Sequence, residues 1–263
     1  MLRQIVSVLF IGASLVLASH STGEQADTIP VRGAYLNALS AWERTLTRFV
    51  DDQGRTDFKA LANDAGDLRE FVAFAAKTSP TSHPDQFATP EDVIAYHLNA
   101  YNAQAMLGVI ERGIPNDFDS FLKKLSFFKF RKIIIGGQKT SLYDYENRVI
   151  RPLGDARVHF ALNCMVHGCP RLPKEPFRAA VLERQLETAA REFFSKEQHL
   201  RIDISERTLY LSTILDLYTE DFVPSGRPED LASYVNQYLE TAVPEDYKVR
   251  FIKYDWTINQ QPD

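Results

Sequence analysis

Cysteine is scarce in this chain, with two in 263 residues, Cys164 and Cys169. That scarcity leaves room for one disulfide at most and confines thiol chemistry to one loop. A basic stripe is also missing. Acids and bases are interspersed, the formal net charge is −5, and nothing in that pattern calls for nucleic acid as a partner. There is no internal repeat, no low-complexity tract and no βαβ rhythm. Helical patterns mixed with hairpin patterns in its place argue for an α+β fold.

The long apolar run lies at the N-terminus. Met1 to Ala18 carries one early cation, Arg3, an apolar stretch from Ile5 to Leu17, and a Val16-Leu17-Ala18 ending that suits a signal peptidase. The run is too short for a membrane span and lacks a positive flank after it, so it is read as a secretory signal peptide. Its loss removes one cation and takes the charge from −5 to −5 − 1 = −6. No cysteine stands near the cleavage point, which argues against a lipid anchor. The expectation is a periplasmic or secreted protein with no membrane span after cleavage. Residues 1–18 are the signal, 19–32 a flexible lead-in and 33–263 a single α+β domain, with a helical N-terminal part over about 33–88.

Tyr35, Leu36, Leu39, Trp42, Leu46 and Phe49 recur at helical spacing, and a second helix is predicted over Leu61 to Ala76. Two close prolines make Ser79 to Pro84 a loop. Thr89-Pro90-Glu91-Asp92 opens the best-signalled helix, with a capping hydroxyl, Pro at the first position and acid in the first turn. It should end near Arg112-Gly113. Apolar residues surround it on nearly every side, so it is a buried central helix. Ile133-Ile134-Ile135, Gly136-Gly137 and Gln138 to Leu142 read as a tight hairpin, followed by a short helix, Leu142 to Ile150, closed by Pro152. Arg157 to Asn163 reads as a strand. A long amphipathic helix from Phe177 to Ser195, a hairpin of His199 to Ile204 with Thr208 to Leu211, a helix from Pro228 to Ala242 and a closing strand from Val249 to Trp256 complete the pattern.

The run His159-Phe-Ala-Leu-Asn163-Cys164-Met-Val-His167-Gly-Cys169-Pro170 puts both thiols and two of the six histidines within a dozen residues. Several stretches then resemble one family in the same order. They are Tyr96-His-Leu-Asn99-Ala-Tyr-Asn102-Ala103, Ser141-Leu142 with Tyr145-Glu146 and Arg151, His159-Phe-Ala-Leu with Cys164 and Cys169-Pro170, Gln185-Leu186, Leu211-Ser212 with Tyr218 and Asp221-Phe222, and Tyr254-Asp255-Trp256. Together, over roughly Asp57 to Trp256, they resemble the domain-of-unknown-function family numbered 547. That family usually has Glu-His where this chain has Glu146-Asn147. A weaker analogy is to papain-like and transglutaminase-like folds, in which a central helix packs on an antiparallel sheet whose strand carries a histidine. No cysteine opens the helix at Thr89, so a thiol nucleophile would have to come from the later loop.

Three chemistries fit that loop. Cys169, or else Cys164, is a nucleophile, with His159 as its base and Glu146 orienting the imidazole. Alternatively, Cys164 and Cys169 form a structural disulfide. In the third, His159, Cys164, His167 and Cys169 gather zinc, although the spacing matches no common motif. The first reading is a thiol-dependent hydrolase or transferase acting on a peptide-like amide or a small thiol peptide, with no cofactor. Its rival is a non-catalytic envelope domain that binds a peptide or protein. Asn99 and Asn102 share one helix face and can line a cleft or satisfy backbone. Arg151 can grip a substrate carboxylate or pair with Glu146. The Phe127-Phe128-Lys129-Phe130 run is an anchor for a loop or an exposed binding lip.

Overall fold

The computed structural model describes residues 28–262, with side chains from 33 onward. The expected signal peptide, 1–18, and most of the expected lead-in lie outside those residues. The first helix, α1 (Thr28–Phe49), already begins inside the stretch expected as lead-in. Its buried stripe is Leu39, Trp42, Leu46 and Phe49, while Leu36 faces solvent.

The predicted second helix is two. Helix α2 (Phe58–Asn63) starts under the Asp57 side chain, which accepts the Ala60 N–H, and stops at Asp64. Helix α3 (Gly66–Lys77) then turns against α1, where Trp42 and Phe71 stack at 5.8 Å. The break lets Leu61 and Leu68 both reach full burial.

Helix α4 (Pro90–Glu111) is the central helix that the sequence predicts. Thr89 Oγ1 accepts the Asp92 N–H while the Asp92 carboxylate accepts the Thr89 N–H, closing a reciprocal cap. Every residue from Ala95 to Val109 is buried. A helix buried all round must satisfy its polar side chains inside the protein, and that requirement shapes the site described below.

Next comes a short helix, α5 (Phe121–Lys124), running into a wider turn over Leu125–Phe130, and the expected hairpin of β1 (Ile133–Ile135) with β2 (Gln138–Thr140). The hairpin tip is built on Gly136 (φ +55°) and Gly137 (φ +80°), and both N–H groups donate to the last carbonyls of α3, at Ala75 and Ala76. Helix α6 (Leu142–Tyr145), capped by Ser141, continues through Glu146–Ile150. Pro152 does not close it. One more tight turn, Arg151–Leu153, follows, and Gly154 in the left-handed region makes the stop.

The predicted strand at 157–163 is a tight turn, Ala156–Phe160. Asp155 starts it by accepting the Arg157 N–H at 2.9 Å, a local bond that competes with extended backbone. The alternating apolar pattern arises because the turn lies between two cores. Val158 packs into the helical core around Trp42, Phe71 and Leu98, and Phe160 into a second core with Phe193, Leu209 and Leu231.

That second core is built by α7 (Leu182–Phe194) and a three-stranded sheet of order β3 (Leu200–Asp203), β4 (Thr208–Ser212), β5 (Lys248–Ile252). Strands β3 and β4 form the expected hairpin, and β5 joins β4 in parallel. Helices α8 (Thr213–Leu217), α9 (Thr219–Phe222) and α10 (Leu231–Val235) cover it. The last is shorter than predicted because the Asn236 amide pairs with both the N–H and the C=O of Val243 and pulls the chain out of helix. The fold class is α+β. The central helix contacts α2, α3 and α6, not a histidine-bearing strand, since His159 sits on the turn.

Gly136 makes a sharp test of the hairpin. A methyl group there would lie 2.0 Å from Ser79 Oγ in a backbone conformation that L side chains resist. Gly136→Ala is expected to cost ~1–3 kcal/mol in urea denaturation. Gly137→Ala, where no atom lies within 4 Å, should cost less.

Candidate functional site

The cysteine loop hangs from the central helix by one side chain. Asn102 Nδ2 donates to Ala161 O at 3.0 Å, and its Oδ1 accepts the Asn163 N–H at 2.8 Å. Asn163 repeats the device, donating to Pro170 O and accepting the Met165 N–H, each at 2.7 Å. These bonds hold Met165 at φ +69°, a conformation that costs a non-glycine residue ~1–3 kcal/mol and persists only where its surroundings impose it. The loop then lies against the C-terminal segment, with Gly168 N donating to Asp255 O and His167 N to Thr257 O. At Gly168 a Cβ would meet Asp255 O and the Tyr254 ring at 2.9 Å, so glycine permits the approach that delivers Tyr254.

Tyr254 reaches both sulfurs. Its hydroxyl lies 3.2 Å from Cys169 Sγ and 3.5 Å from Cys164 Sγ, and the Cys164 N–H donates to Cys169 Sγ at 3.0 Å. Both cysteines are free thiols, so the alternative of a Cys164–Cys169 disulfide is not realised. Burial raises the Cys169 pKa, but hydrogen bonds from the Cys164 thiol, the Tyr254 hydroxyl and backbone outweigh it and bring the value below that of an ordinary cysteine. Cys164 moves well up, because its hydrogen bond to Cys169, burial and the nearby charges of Cys169 and Glu146 all favour the protonated form. The pair therefore holds its last proton in preference on Cys164, and Cys169 is the more acidic of the two thiols.

Glu146 does not orient His159 as expected. Its two oxygens accept the Tyr218 hydroxyl at 2.5 Å and the Tyr101 hydroxyl at 3.0 Å. The partner of His159 is Asp221, with Nε2 to Oδ2 at 2.7 Å. The imidazole is 3 % exposed and stacks on Tyr218 with ring centroids 4.1 Å apart. Among the described residues it makes no hydrogen bond to either sulfur. Arg151 grips Asp221 through Nε and Nη2, at 2.6 and 2.8 Å, and also bonds Glu220 and Asn147, so four of its five N–H donors are engaged. Burial raises the Asp221 pKa, yet the hydrogen bonds and charges of His159 and Arg151 hold it well below the usual carboxylate range.

Asn99 and Asn102 are backbone clamps. Asn99 Oδ1 accepts both the Phe177 N–H and Trp42 Nε1, while its Nδ2 donates to Phe177 O. Each asparagine is 1 % exposed, which leaves no surface for a ligand. The four zinc ligands weighed above are not assembled. His159 turns to Asp221, His167 is exposed, and no metal-binding cluster of three or more such side chains occurs among the described residues.

A cavity of about 420 Å³ does open beside Cys169, and neither α4, with Asn99 and Asn102, nor His159 lines it. It lies between the 52–55 turn, the cysteine loop and α7, and its lining includes Cys169, His167, Arg171, Gln185, His199 and Asn259. Three residues of the network, Tyr218, Asp221 and Tyr254, received no role from the sequence. They lie far along the chain from the cysteines, and their only signal was membership of the motifs quoted above.

If Asn102 is the clamp, Asn102→Ala leaves the Asn163 N–H and the Ala161 C=O buried without partners. The expected cost is ~2–4 kcal/mol in chemical denaturation, with exchange of the Asn163 amide hydrogen speeding up more than that of α1. An unchanged exchange rate would remove the clamp from the account.

No curated protein and no solved structure matches the chain. Residues 85–194 match the family described as "Protein of unknown function, DUF547". The matched stretch runs from just before α4 to the end of α7. It holds Asn99, Asn102, Glu146, Arg151, His159 and both cysteines, and leaves Tyr218, Asp221 and Tyr254 outside it, so it is narrower than the Asp57 to Trp256 span of the sequence resemblance. Over that stretch, the chain is similar to the DUF547 family.

Proposed function

We propose that this protein is an exported, periplasmic or secreted, thiol-dependent hydrolase or transferase that acts on a peptide-like amide or a small thiol peptide, with Cys169 as nucleophile. One observation carries the reading. Cys169 Sγ receives the Cys164 N–H and the Tyr254 hydroxyl, donors that favour a thiolate at a buried position beside a cavity.

The reaction follows from these contacts. The Cys169 thiolate attacks the carbonyl carbon of the amide, and the C–N bond breaks. The departing nitrogen takes the proton held by Cys164, relayed by the Tyr254 hydroxyl, which touches both sulfurs. Water or an acceptor amine then opens the thioester and returns a proton to Cys164, restoring the Cys169 thiolate. His159, Glu146 and Arg151 are tied to Tyr218 and Asp221 in a neighbouring network that touches neither sulfur. The cavity volume falls in the range of small-ligand sites and admits a short peptide-like molecule.

The rival reading, a non-catalytic domain that binds a peptide or envelope protein, draws support from the imidazole. His159 is committed to Asp221 and not to a thiol. In that case the cavity is the binding site and the thiols are structural without being bridged.

Alkylation separates the two. With iodoacetamide and peptide mapping, Cys169 is expected to react faster than free cysteine near neutral pH. Its rate should fall as pH drops through its lowered pKa, because the thiolate is the reactive form. Tyr254→Phe removes one donor, so the midpoint of that profile should move up. A Cys169 that reacts only after unfolding supports the binding reading.

Acyl transfer is tested with p-nitrophenyl acetate. The expected result is one acetyl group per chain on Cys169, found by mass spectrometry, and its loss in Cys169→Ala. With the corresponding p-nitroanilide, whose departing nitrogen must take a proton, Tyr254→Phe should slow the step by about 100- to 10,000-fold, the usual scale for one catalytic proton donor. No adduct on Cys169 under conditions where the chain is folded would sink the enzyme.

A further inference from the structure

The stretch around α5 is used by none of this chemistry. Of the nine large hydrophobic side chains exposed among the described residues, four gather there: Phe121 at 73 %, Leu122 at 75 %, Phe130 at 65 % and Tyr143 at 49 %. Two adjacent bulky side chains exposed to that degree project from the surface. They cannot fold inward, because the helix is pinned from behind. Phe127 is fully buried and stacks on Phe118 at 4.2 Å, and Arg112 donates to Ser126 O at 2.6 Å.

The same surface is basic on an acidic protein. Between Glu111 and Lys132 stand six cations (Arg112, Lys123, Lys124, Lys129, Arg131, Lys132) and three carboxylates (Glu111, Asp117, Asp119), a local charge of 6 − 3 = +3 against −5 for the chain. Lys124 and Lys129 lie over the rings of Trp256 and Tyr143, each at 4.1 Å, which keeps their charge beside aromatic surface. Lys123, Lys129 and Arg131 also pair with Asp117, Asp144 and Glu111, exposed or half-buried pairs that anionic headgroups can replace. Projecting Phe and Leu ringed by lysines, with aromatic rings at the level of the charges, is the arrangement that suits a lipid–water interface. The apolar tips enter the acyl boundary while flexible lysine stems place their ammonium groups among anionic headgroups.

We propose that Phe121, Leu122 and Phe130 with their surrounding lysines form a docking surface for an anionic lipid bilayer, which would hold the protein at a membrane face without spanning it. This goes beyond the thiol chemistry and does not depend on it.

The test uses the full chain and vesicles of phosphatidylcholine with and without phosphatidylglycerol. Because the apolar N-terminal run could itself bind lipid, the readout is local. In Leu122→Trp, fluorescence in excess of the wild-type signal should be quenched by brominated lipid in phosphatidylglycerol vesicles. Trp42, at 1 % exposure, should not contribute. Phe121→Ser/Leu122→Ser should weaken vesicle co-sedimentation about tenfold or more at an unchanged melting temperature, and added salt should weaken the binding of the wild type. Three outcomes overturn the proposal: a vesicle-bound Leu122→Trp chain whose reporter is not quenched, a double variant that binds like the wild type, or a lipid-independent dimer abolished by the double variant, which would assign the patch to a second copy of the chain.

Discussion

The amide of Asn102 is the constraint on which the site depends. It stands on a helix buried on all sides, where an unpaired amide would cost ~1–3 kcal/mol, and it discharges that cost by holding the backbone on either side of Leu162. Asn163 carries the grip onward to Pro170 and Met165. The strained Met165, the close approach at Gly168 and the placing of two thiols under one tyrosine hydroxyl all follow from that single attachment. Without it, the loop would have only weak local preferences.

A second constraint comes from the two cores. The turn that carries His159 separates them, with Val158 on one side and Phe160 on the other. A carboxylate and a guanidinium placed at such a seam lose water without leaving it entirely, which strengthens their pairing. Asp221 therefore holds His159 and Arg151 together as one unit, and Tyr218 stacks on that unit while its hydroxyl donates to Glu146. The seam links the carboxylate network to the thiols through the electrostatic effect of Glu146 on Cys164. Among the described residues no continuous hydrogen-bond chain joins the two.

Much of the architecture was legible in the residues. The cap at Thr89, the Gly136-Gly137 hairpin and the amphipathic α7 are local signals, written within a few positions of where they act. The His159 stretch misled because a period-two apolar pattern has two causes. It marks a strand facing one core, and equally a tight turn held between two. Glu146 misled for a related reason. It stands 13 positions before His159, in the helix that precedes the turn, whereas proximity in the fold is supplied by Asp221, 62 positions further on. Asn99 and Asn102 stand three positions apart on α4, but their partners, Phe177, Ala161 and Asn163, cannot be named from spacing.

By itself the sequence determined the α+β class, the central buried helix, the confinement of thiol chemistry to one loop and the family resemblance, since composition, caps and periodicity act over a few residues. Only the tertiary structure decided which acid holds His159, that the two thiols share Tyr254 and stay unbridged, and on which side of Cys169 the cavity opens. Those outcomes depend on directional contacts between side chains 60 to 90 positions apart, such as His159 with Asp221 and the two cysteines with Tyr254. They are set by how two cores pack against each other, which no local pattern encodes.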